Sequence, residues 1–275
     1  MKMPQKLKVL DLSFVYGFRR LPNLSINLRE PRVSSCTSIT ELPDSIGNLE
    51  KLEQIHIYGC HNLKGEIPWS IGRLFSLRIL LLYDTGICSL PTSVFGLSHL
   101  QTLHLWRCDE LELLPELSHS LTDLVVSSGL KTTFPSLSNL VNLKKLYFSL
   151  RNNPIEIPRD IGKLSKLETL IFFESNIINS LPAEIGALSQ LKILEVKLCS
   201  SIRFILGLPS SLFKLHLYHC YSLERLPDLS NLKNLSTLKL RQCLELKGIQ
   251  GLEQLESLRY LDVSLCELVE RLLDL

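Results

Sequence analysis

Leucines recur along the chain in a short fixed pattern, L-x-x-L-x-L, that is repeated twelve times. Successive units begin 21 to 25 residues apart, and polar or variable residues fill the positions between the leucines. The units begin at Leu7, Leu28, Leu52, Leu77, Leu100, Leu121, Leu143, Leu167, Leu191, Leu212, Leu235 and Leu258. Because side chains alternate between the two faces of a strand, the L-x-L of each unit predicts a short strand with one buried face.

The repetition predicts how these strands are assembled. One unit cannot bury its leucines alone, whereas stacked units share a continuous core. Units such as LQTLHLWRCDELELLP match the leucine-rich-repeat signature L-x-x-L-x-L-x-x-N/C-x-L. The predicted fold class is therefore α/β: a leucine-rich-repeat solenoid, or horseshoe, with a parallel sheet on the concave side. With strands about 4.8 Å apart, the sheet would be on the order of 50 Å long. We expect residues 1–275 to form a single domain of about twelve repeats, excised from a larger protein.

The segments that return from one strand to the next should lie on the convex side. Five of them resemble LPDSIGNLEKL, in which proline suits the start of a helical turn. We therefore expect short helical or 3₁₀ turns, mixed with extended segments. Two residues depart from the pattern: Phe95 replaces the usual glycine of a return, and Pro31 replaces the second leucine of repeat two. The strand of repeat two is predicted to be the least secure.

Composition excludes several classes of protein. The chain is 45% hydrophobic and 21% charged, which is typical of a folded globular protein. Its formal net charge of +2 gives no general attraction to nucleic acid or to an anionic membrane. Apolar runs such as ILLLY at 79–83 are far shorter than the roughly 18–20 residues of a membrane span. We expect neither nucleic acid nor a membrane as a partner.

Seven of the eight cysteines occupy position nine of a repeat, counted from its first leucine. They are Cys36, Cys60, Cys108, Cys199, Cys220, Cys243 and Cys266, while the other units have Val15, Thr85, Gly129, Arg151 and Ser175 there. Cys88 lies at position twelve, another inward position. A buried thiol acts as a small hydrophobic group with a weak donor. Reduced structural thiols favour a reducing compartment, so we expect a cytoplasmic or nuclear protein.

Histidine and cysteine recur together in a spacing that resembles a pair of metal ligands. The pairs are His56 and Cys60, His104 and Cys108, and His216 and Cys220. Position five should face the concave surface while position nine turns into the core, so the two side chains cannot converge within about 2.0–2.3 Å of one ion. The same geometry argues against a Cys–His catalytic pair, and no phosphate-binding loop, G-x-G-x-x-G or H-E-x-x-H motif is present. We predict no metal, no cofactor and no enzymatic activity.

A protein-binding surface is therefore the predicted functional site, and it should lie on the concave side. Tyr58, Tyr83 and Trp106 occupy position seven in three successive repeats and should lie side by side. Exposed aromatic residues beside arginine are typical of interface hot spots. The alternative is structural, because cross-strand aromatic pairs also stabilise a sheet. The candidate residues are His56, Tyr58, Leu81, Tyr83, His104, Trp106, Arg107, Tyr147, Phe173, His216, Tyr218, Lys239 and Arg241.

The last four repeats place an excess of positive charge on the same predicted surface. Six basic residues there, against Glu195 and Asp262, favour a mildly acidic partner, unless they are simply a solvated face. The basic residues are Lys192, Lys197, Lys214, Lys239, Arg241 and Arg259.

The repeats resemble those of plant intracellular disease-resistance receptors. The resemblance lies in L-x-x-L-x-L-x-x-C-x-x-L-x-x-L-P joined to P-x-x-I-G-x-L returns, and it covers the whole chain. The stretch LERLPDLSNLKNLSTLKLRQCLELKGIQGLEQLESLRYLDVSLCEL is similar to receptors with an N-terminal TIR domain. The resemblance implies a domain that senses a pathogen effector or a host protein. It also implies restraint of a nucleotide-binding domain in the same full-length protein.

Two other functions are compatible with the pattern. One is a stand-alone intracellular scaffold or adaptor, such as a small-GTPase regulator. The other is the ectodomain of a membrane receptor, a class that LKGEIPWSIGRL resembles, although cysteine at position nine argues against it.

Overall fold

The computed structural model of the 275-residue chain describes residues 4–21, 24–128, 130, 134–150 and 156–269. The chain divides into two compact units, Met1–Leu143 and Lys144–Leu275. Both units are built in the same way, from strands that pair in parallel and short returns between them.

The first unit contains six strands of the repeat pattern, one from each of the first six repeats. They are β1 (Val9–Asp11), β2 (Glu30–Ser34), β3 (Gln54–Tyr58), β4 (Ile79–Tyr83), β5 (Thr102–Cys108) and β6 (Asp123–Ser128). Neighbouring strands align equivalent repeat positions, so that Leu80 lies between Ile55 and Leu103. The buried leucines thus form continuous rows, as the pattern predicts.

The strand of repeat two forms in spite of its proline. Pro31 is buried in the place of a leucine and lies opposite Leu10 of β1. On the other side, pairing with β3 begins only at Arg32 and His56 and is limited to three residue pairs. A proline cannot donate to a ladder, which agrees with the shortened pairing on that side.

The second unit contains the strands of the last six repeats. They are β7 (Lys145–Ser149), β8 (Thr169–Phe173), β9 (Ile193–Lys197), β10 (Lys214–Tyr218), β11 (Thr237–Arg241) and β12 (Tyr260–Asp262). Its register follows the same rule, with Leu194 between Leu170 and Leu215. The predicted leucine-rich-repeat solenoid with a parallel sheet is confirmed in both units.

The returns are 3₁₀ helices and extended segments, as expected. The 3₁₀ helices are Asp44–Asn48, Trp69–Arg73, Thr92–Gly96, Arg159–Lys163, Ala183–Ala187 and Leu252–Gln254. A proline directly precedes each of the first five, where its missing N–H costs little. Short parallel pairs also form between returns: Lys64–Glu66 with Gly86–Ser89, and Ser180–Leu181 with Phe204–Ile205.

Stacking of the 3₁₀ helices explains why Phe95 can replace glycine. A Cβ added at Gly72 would lie 2.4 Å from the Cβ of Ser93, because the next 3₁₀ helix packs directly against that glycine. Phe95 occupies the equivalent place in Thr92–Gly96. The return that follows, residues 109–120, has no 3₁₀ helix, so nothing equivalent stacks on Phe95 and a large side chain fits.

Position eight of ten repeats adopts a left-handed backbone conformation, which the sequence analysis did not predict. The residues with positive φ at this position are Phe14, Ser35, Gly59, Asp84, Arg107, Glu174, Leu198, His219, Gln242 and Leu265. In nine of these ten repeats the strand ends before position eight, so the conformation turns the chain off the strand there. In repeat five β5 continues through Arg107 to Cys108, and in repeat six β6 continues through position eight at Ser128.

Candidate functional site

The predicted aromatic residues of the first unit lie on the solvent-facing side of β3, β4 and β5, here called the open face. Tyr58 lies opposite Tyr83 in the register, and Tyr83 lies opposite Trp106. The Tyr58 and Tyr83 rings meet edge to face, with centroids 6.3 Å apart. Tyr58 is 55% exposed, whereas Tyr83 and Trp106 are half-buried. The structure therefore places the three side chains in one row.

Position five adds a second row beside the first. His56, Leu81 and His104 lie opposite one another on β3, β4 and β5, and all three are half-buried. Burial lowers the pKa of His56 below its ordinary value of 6.5. The open face here is therefore a mixed aromatic and apolar surface with two imidazole rings.

His104 is held on both of its ring nitrogens. Its Nδ1 lies 2.6 Å from the hydroxyl oxygen of Tyr83, and its Nε2 lies 3.0 Å from Oδ1 of Asp123. A carboxylate can only accept, so Nε2–H donates to Asp123 and, in the neutral ring, Nδ1 accepts the Tyr83 hydroxyl proton. Burial raises the pKa of Tyr83, and the negative charge of Asp123 adds to this effect. The tyrosine hydroxyl is therefore a fixed, protonated donor.

Asp123 is a site residue that sequence reasoning missed. It occupies position three of repeat six, whereas His104 is at position five and Tyr83 at position seven of the two repeats before it. The three residues form a diagonal that moves one strand across and two residues back at each step. A comparison restricted to equivalent positions could not find this diagonal.

Arg107 and Ser127 differ from their expected places. Arg107, predicted to flank the row, is exposed at position eight with φ of 55°, where the pairing of β5 with β6 shifts register. Ser127, at position seven of repeat six, is equivalent to Trp106 in the pattern but is fully buried. The aromatic row of the first unit therefore does not continue onto β6.

A shallow pocket adjoins the aromatic row. It has a volume of about 370 Å³ and is bounded by His56, Tyr58, Leu81 and Tyr83. On the side of β1 and β2 it reaches Asp11 and Arg32. It is large enough for a side chain of a bound partner, with aromatic walls and one charge of each sign.

The predicted residues of the second unit form two ring groups and one ion-pair cluster. Tyr147 and Phe173 contact each other with centroids 6.1 Å apart. In the cluster, Glu195 accepts from Nδ1 of His216 at 3.0 Å and pairs with Nζ of Lys197 at 2.5 Å. The hydrogen bond from His216 and the positive charge of Lys197 lower the pKa of Glu195 to about 2.

Tyr218 contacts this cluster through its ring. The ring centroid lies 5.8 Å from that of His216 and 5.6 Å from Nζ of Lys197. His216 itself is only 9% exposed, more buried than the expected concave-surface position suggests.

The basic residues of the last repeats are partly matched by neighbours. Arg241 lies 3.7 Å from a carboxylate oxygen of Asp262, and Nζ of Lys239 lies 5.1 Å from the ring centroid of Tyr260. Lys192, counted as basic surface, pairs with Glu168 of the preceding repeat. The free positive charge is therefore smaller than the sequence count suggests.

The cysteines at position nine line the core side, where they bridge neighbouring repeats. The thiol of Cys36 donates to the carbonyl oxygen of Leu12 at 2.8 Å, and that of Cys108 donates to Leu82 at 3.1 Å. Cys220 and Cys243 make the same, longer contact to position six of the preceding repeat. Burial raises the pKa of Cys108 to about 11. Gly129 and Arg151, also at position nine, lie outside the described residues.

The structure also separates the histidines from these thiols. All eight cysteines are free thiols, and His56 lies on the open face while Cys60 is buried beneath the sheet. In the part of the chain that the structure describes, no three His, Cys, Asp or Glu side chains are grouped to hold a metal ion. Within the same residues, no helix has the length and apolar character needed to cross a bilayer.

Comparison with known proteins gives one family match and two curated relatives. Residues 128–274, slightly more than half of the chain, match a family model described as a leucine-rich repeat region. Disease resistance protein RPS4B of Arabidopsis thaliana is 26% identical over 214 residues, which are 78% of this chain and 14% of that protein. Disease resistance protein RML1A of Arabidopsis thaliana is 42% identical over 83 residues, 30% of this chain and 8% of that protein. The chain thus spans a small part of both relatives.

Solved structures support the fold. The leucine-rich repeat domain of the type III effector XopL superposes with a TM-score of 0.52 at 21% identity, covering 92% of this chain and 75% of that one. A leucine-rich repeat protein of Leptospira interrogans gives 0.54 at 22% identity, covering 94% and 84%. PEPR1, solved as PEPR1–AtPEP1, gives 0.57 at 23% identity, covering 94% and 38%. Together with the register of the strands, the family match shows that this chain belongs to the leucine-rich repeat family, whose stacked repeats are protein-interaction scaffolds.

Proposed function

We propose that this chain is the ligand-sensing and autoinhibitory part of a plant immune receptor. In this proposal it recognises a protein, either a pathogen effector or a host protein, through the open face of β3–β5. The observation that supports this best is the row of Tyr58, Tyr83 and Trp106 on three paired strands. Its central ring, Tyr83, is hydrogen-bonded to His104 and contacts the ring of Tyr58. Rigid aromatic side chains at a solvent-facing surface lose little entropy on binding, which makes them effective anchors.

The diagonal from Tyr83 through His104 to Asp123 supports a binding role. A partly exposed tyrosine would otherwise lose rotamer freedom when a partner binds, and this cost lowers affinity. The hydrogen bonds of His104 hold the ring in place before binding. The adjoining pocket offers room for one partner side chain beside the fixed rings.

The two relatives support the immune setting. Both are named disease resistance proteins, and the chain matches only a small part of each. The proposal therefore includes further domains: a nucleotide-binding domain that this chain restrains, and a TIR domain in the same protein. Reduced thiols at position nine favour a cytoplasmic or nuclear location. The proposal involves no catalytic step and no cofactor.

The chain offers a matched pair of variants for testing the binding surface, because it has only two tryptophans. Trp106 lies on the open face, whereas Trp69 is 65% exposed at the start of a 3₁₀ helix on the other side of the repeat. The tagged 275-residue chain and the variants Trp106→Ala and Trp69→Ala are incubated with extract of pathogen-treated leaf tissue. Captured proteins are then quantified by mass spectrometry, and affinities are measured for each purified candidate.

We expect Trp106→Ala to cost at least about 2 kcal/mol of binding free energy, the range of a hot spot. Trp69→Ala should leave binding unchanged. A partner that both variants bind equally well would place recognition outside the aromatic row. Sequencing of the full-length transcript that encodes this chain tests the immune-receptor proposal separately. A nucleotide-binding domain encoded upstream of the repeats supports the proposal, whereas a signal peptide would instead support the ectodomain of a membrane receptor.

A further inference from the structure

A strongly basic pocket lies at the amino-terminal ends of the first strands, away from the aromatic row. It has a volume of about 310 Å³. Its lining is formed by Gln5, Lys6, Lys8, Asn27, Arg29 and Lys51. Four of these six residues are cationic, and none of the six belongs to the predicted protein-binding surface.

The repeat itself brings the cations together. Lys6, Asn27 and Lys51 each directly precede the first leucine of repeats one, two and three, and Lys8 and Arg29 directly follow it. Equivalent positions of neighbouring repeats are brought about 4.8 Å apart by the parallel sheet. The backbone N–H of Arg29 donates to the carbonyl oxygen of Lys8 at 2.8 Å. The backbone therefore holds these two cationic residues of neighbouring repeats side by side.

Polar contacts fix part of this lining. Nζ of Lys51 lies 2.8 Å from Oδ1 of Asn27, and Nδ2 of Asn27 donates to the backbone oxygen of Gln5 at 2.8 Å. The Lys51 ammonium is therefore held by a neutral amide, which leaves its charge uncompensated. Asn27 in turn ties the second repeat to the segment before the first.

Among the described residues, one carboxylate offsets the positive charge of the pocket. Glu53 pairs with Arg29, and no described carboxylate pairs with Lys6, Lys8 or Lys51. Four positive side chains less that one carboxylate leave a net charge of +3 within about 310 Å³. A ligand that matches this charge in so small a volume must carry several negative charges close together.

We propose that this pocket binds a compact anion that carries at least two phosphate groups. A phosphate monoester holds up to two negative charges and three acceptor oxygens, more than a carboxylate of similar size. Lysine ammoniums and guanidinium groups are the usual partners of such oxygens. The ammoniums of Lys6, Lys8 and Lys51 would each contact one phosphate group, while Arg29 stays paired with Glu53.

Pyrophosphate is a suitable probe, because it carries roughly three negative charges near neutral pH. Binding to the 275-residue chain is measured by isothermal titration calorimetry at low ionic strength, where surface charges are least screened. The variants are Lys8→Gln and Lys51→Gln. The control is Lys166→Gln, a lysine that precedes the first leucine of repeat eight, outside the pocket.

We expect one pyrophosphate per chain. Each pocket variant should weaken it about fivefold, the size of one charge interaction across about 4 Å in water. Lys166→Gln should bind as the unchanged chain does. Unchanged affinity in both pocket variants, or an equal loss in the control, would overturn the site. Because pocket variants carry no core change, their unfolding curves should coincide with that of the unchanged chain.

A second comparison tests the class of ligand. Tricarballylate carries three carboxylates and no phosphate, so equal affinity for it would overturn the phosphate assignment. Co-sedimentation with phosphatidylcholine vesicles, with and without a phosphatidylinositol bisphosphate whose headgroup carries two phosphate monoesters, identifies the source of the phosphate groups. Vesicle binding that Lys8→Gln reduces assigns a lipid headgroup, whereas pyrophosphate binding without vesicle binding assigns a free ligand.

Discussion

His104 in the first unit and His216 in the second occupy the same position of the repeat, yet their surroundings differ. His104 is hydrogen-bonded on both nitrogens, to a phenol on one side and a carboxylate on the other. His216 is bonded on one nitrogen, to Glu195, and its Nε2 is buried without a hydrogen-bond partner in the described structure. The same repeat position therefore places two histidines in very different networks, because the side chains of the adjacent strands determine their partners.

The difference has a physical consequence for each surface. In the first unit the carboxylate and the phenol lie on opposite sides of the imidazole, so the network stiffens a row that extends to Tyr58. In the second unit the carboxylate is shared between His216 and Lys197, so the charges largely compensate one another. We therefore associate recognition with the first network and local stability with the second.

The core beneath the two histidines provides the largest expected effect. Leu105 and Leu217 each follow the histidine on its strand and are fully buried. Leu105→Ala and Leu217→Ala should each lower the free energy of unfolding by about 2–5 kcal/mol, because each leaves a cavity in a leucine row. Denaturant unfolding of the two variants gives the measurement. A loss below 1 kcal/mol in one of them would show that the two cores are not equivalent.

Glu195 should make stability depend on pH. Its pKa in the folded chain is about 2 against an ordinary value of 4.5, because it accepts a hydrogen bond from His216 and pairs with Lys197. A lowered folded pKa gives a contribution that is complete above pH 4.5 and is lost as the pH falls toward 2. We expect Glu195→Gln to lower the free energy of unfolding by about 2 kcal/mol at pH 7. The variant should also lose less stability than the unchanged chain as the pH falls from 4.5 toward 2, a range here called the acid limb of the stability curve.

The control for this prediction is an exposed carboxylate with a similar partner. Glu168 accepts from Lys192 at 3.0 Å, and this hydrogen bond lowers its pKa as well. Solvent screens exposed pairs, so Glu168→Gln should change the acid limb much less. Equal effects of the two variants would show that burial of the Glu195 cluster is irrelevant to its pH dependence.

The smallest expected effect is a difference in stability between variants of Tyr83 and Tyr218, the position-seven tyrosines that contact His104 and His216. Tyr83→Phe removes the hydroxyl that meets Nδ1 of His104, so it should cost about 1 kcal/mol of stability. Tyr218→Phe keeps the ring that contacts His216 and Lys197, so it should cost close to nothing. Thermal unfolding of both variants measures the difference. If Tyr218→Phe proves the more costly change, the comparison between the networks is wrong.

Much of the fold was predictable because the leucine spacing directly encodes which residues share a strand face. The same spacing correctly aligned Tyr58, Tyr83 and Trp106, since a parallel sheet places equivalent positions side by side. The contact between Glu195 and His216 was also within reach, because both are at position five of consecutive repeats. The partner-binding role of these residues stays a prediction.

Other features depend on information that no single repeat position holds. The contact of His104 with Asp123 is diagonal and depends on rotamers, so a search along equivalent positions overlooks it. The left-handed turn at position eight has almost no residue signature, since Phe14 and Leu198 adopt it as well as Gly59. The basic surface is smaller than the charges of the last four repeats predict, because Lys192 of repeat nine pairs with Glu168 of repeat eight.

The thiols at position nine give this chain a built-in set of local probes. Four cysteines are buried against the repeat before them: Cys60, Cys108, Cys220 and Cys243. An alkylating reagent can reach each thiol only when the contact between its two repeats, here called a seam, opens. Solenoids unfold in segments whose stabilities can differ along the chain. The labelling rate of each thiol would therefore report the opening of one seam, and the set would show from which repeats unraveling begins.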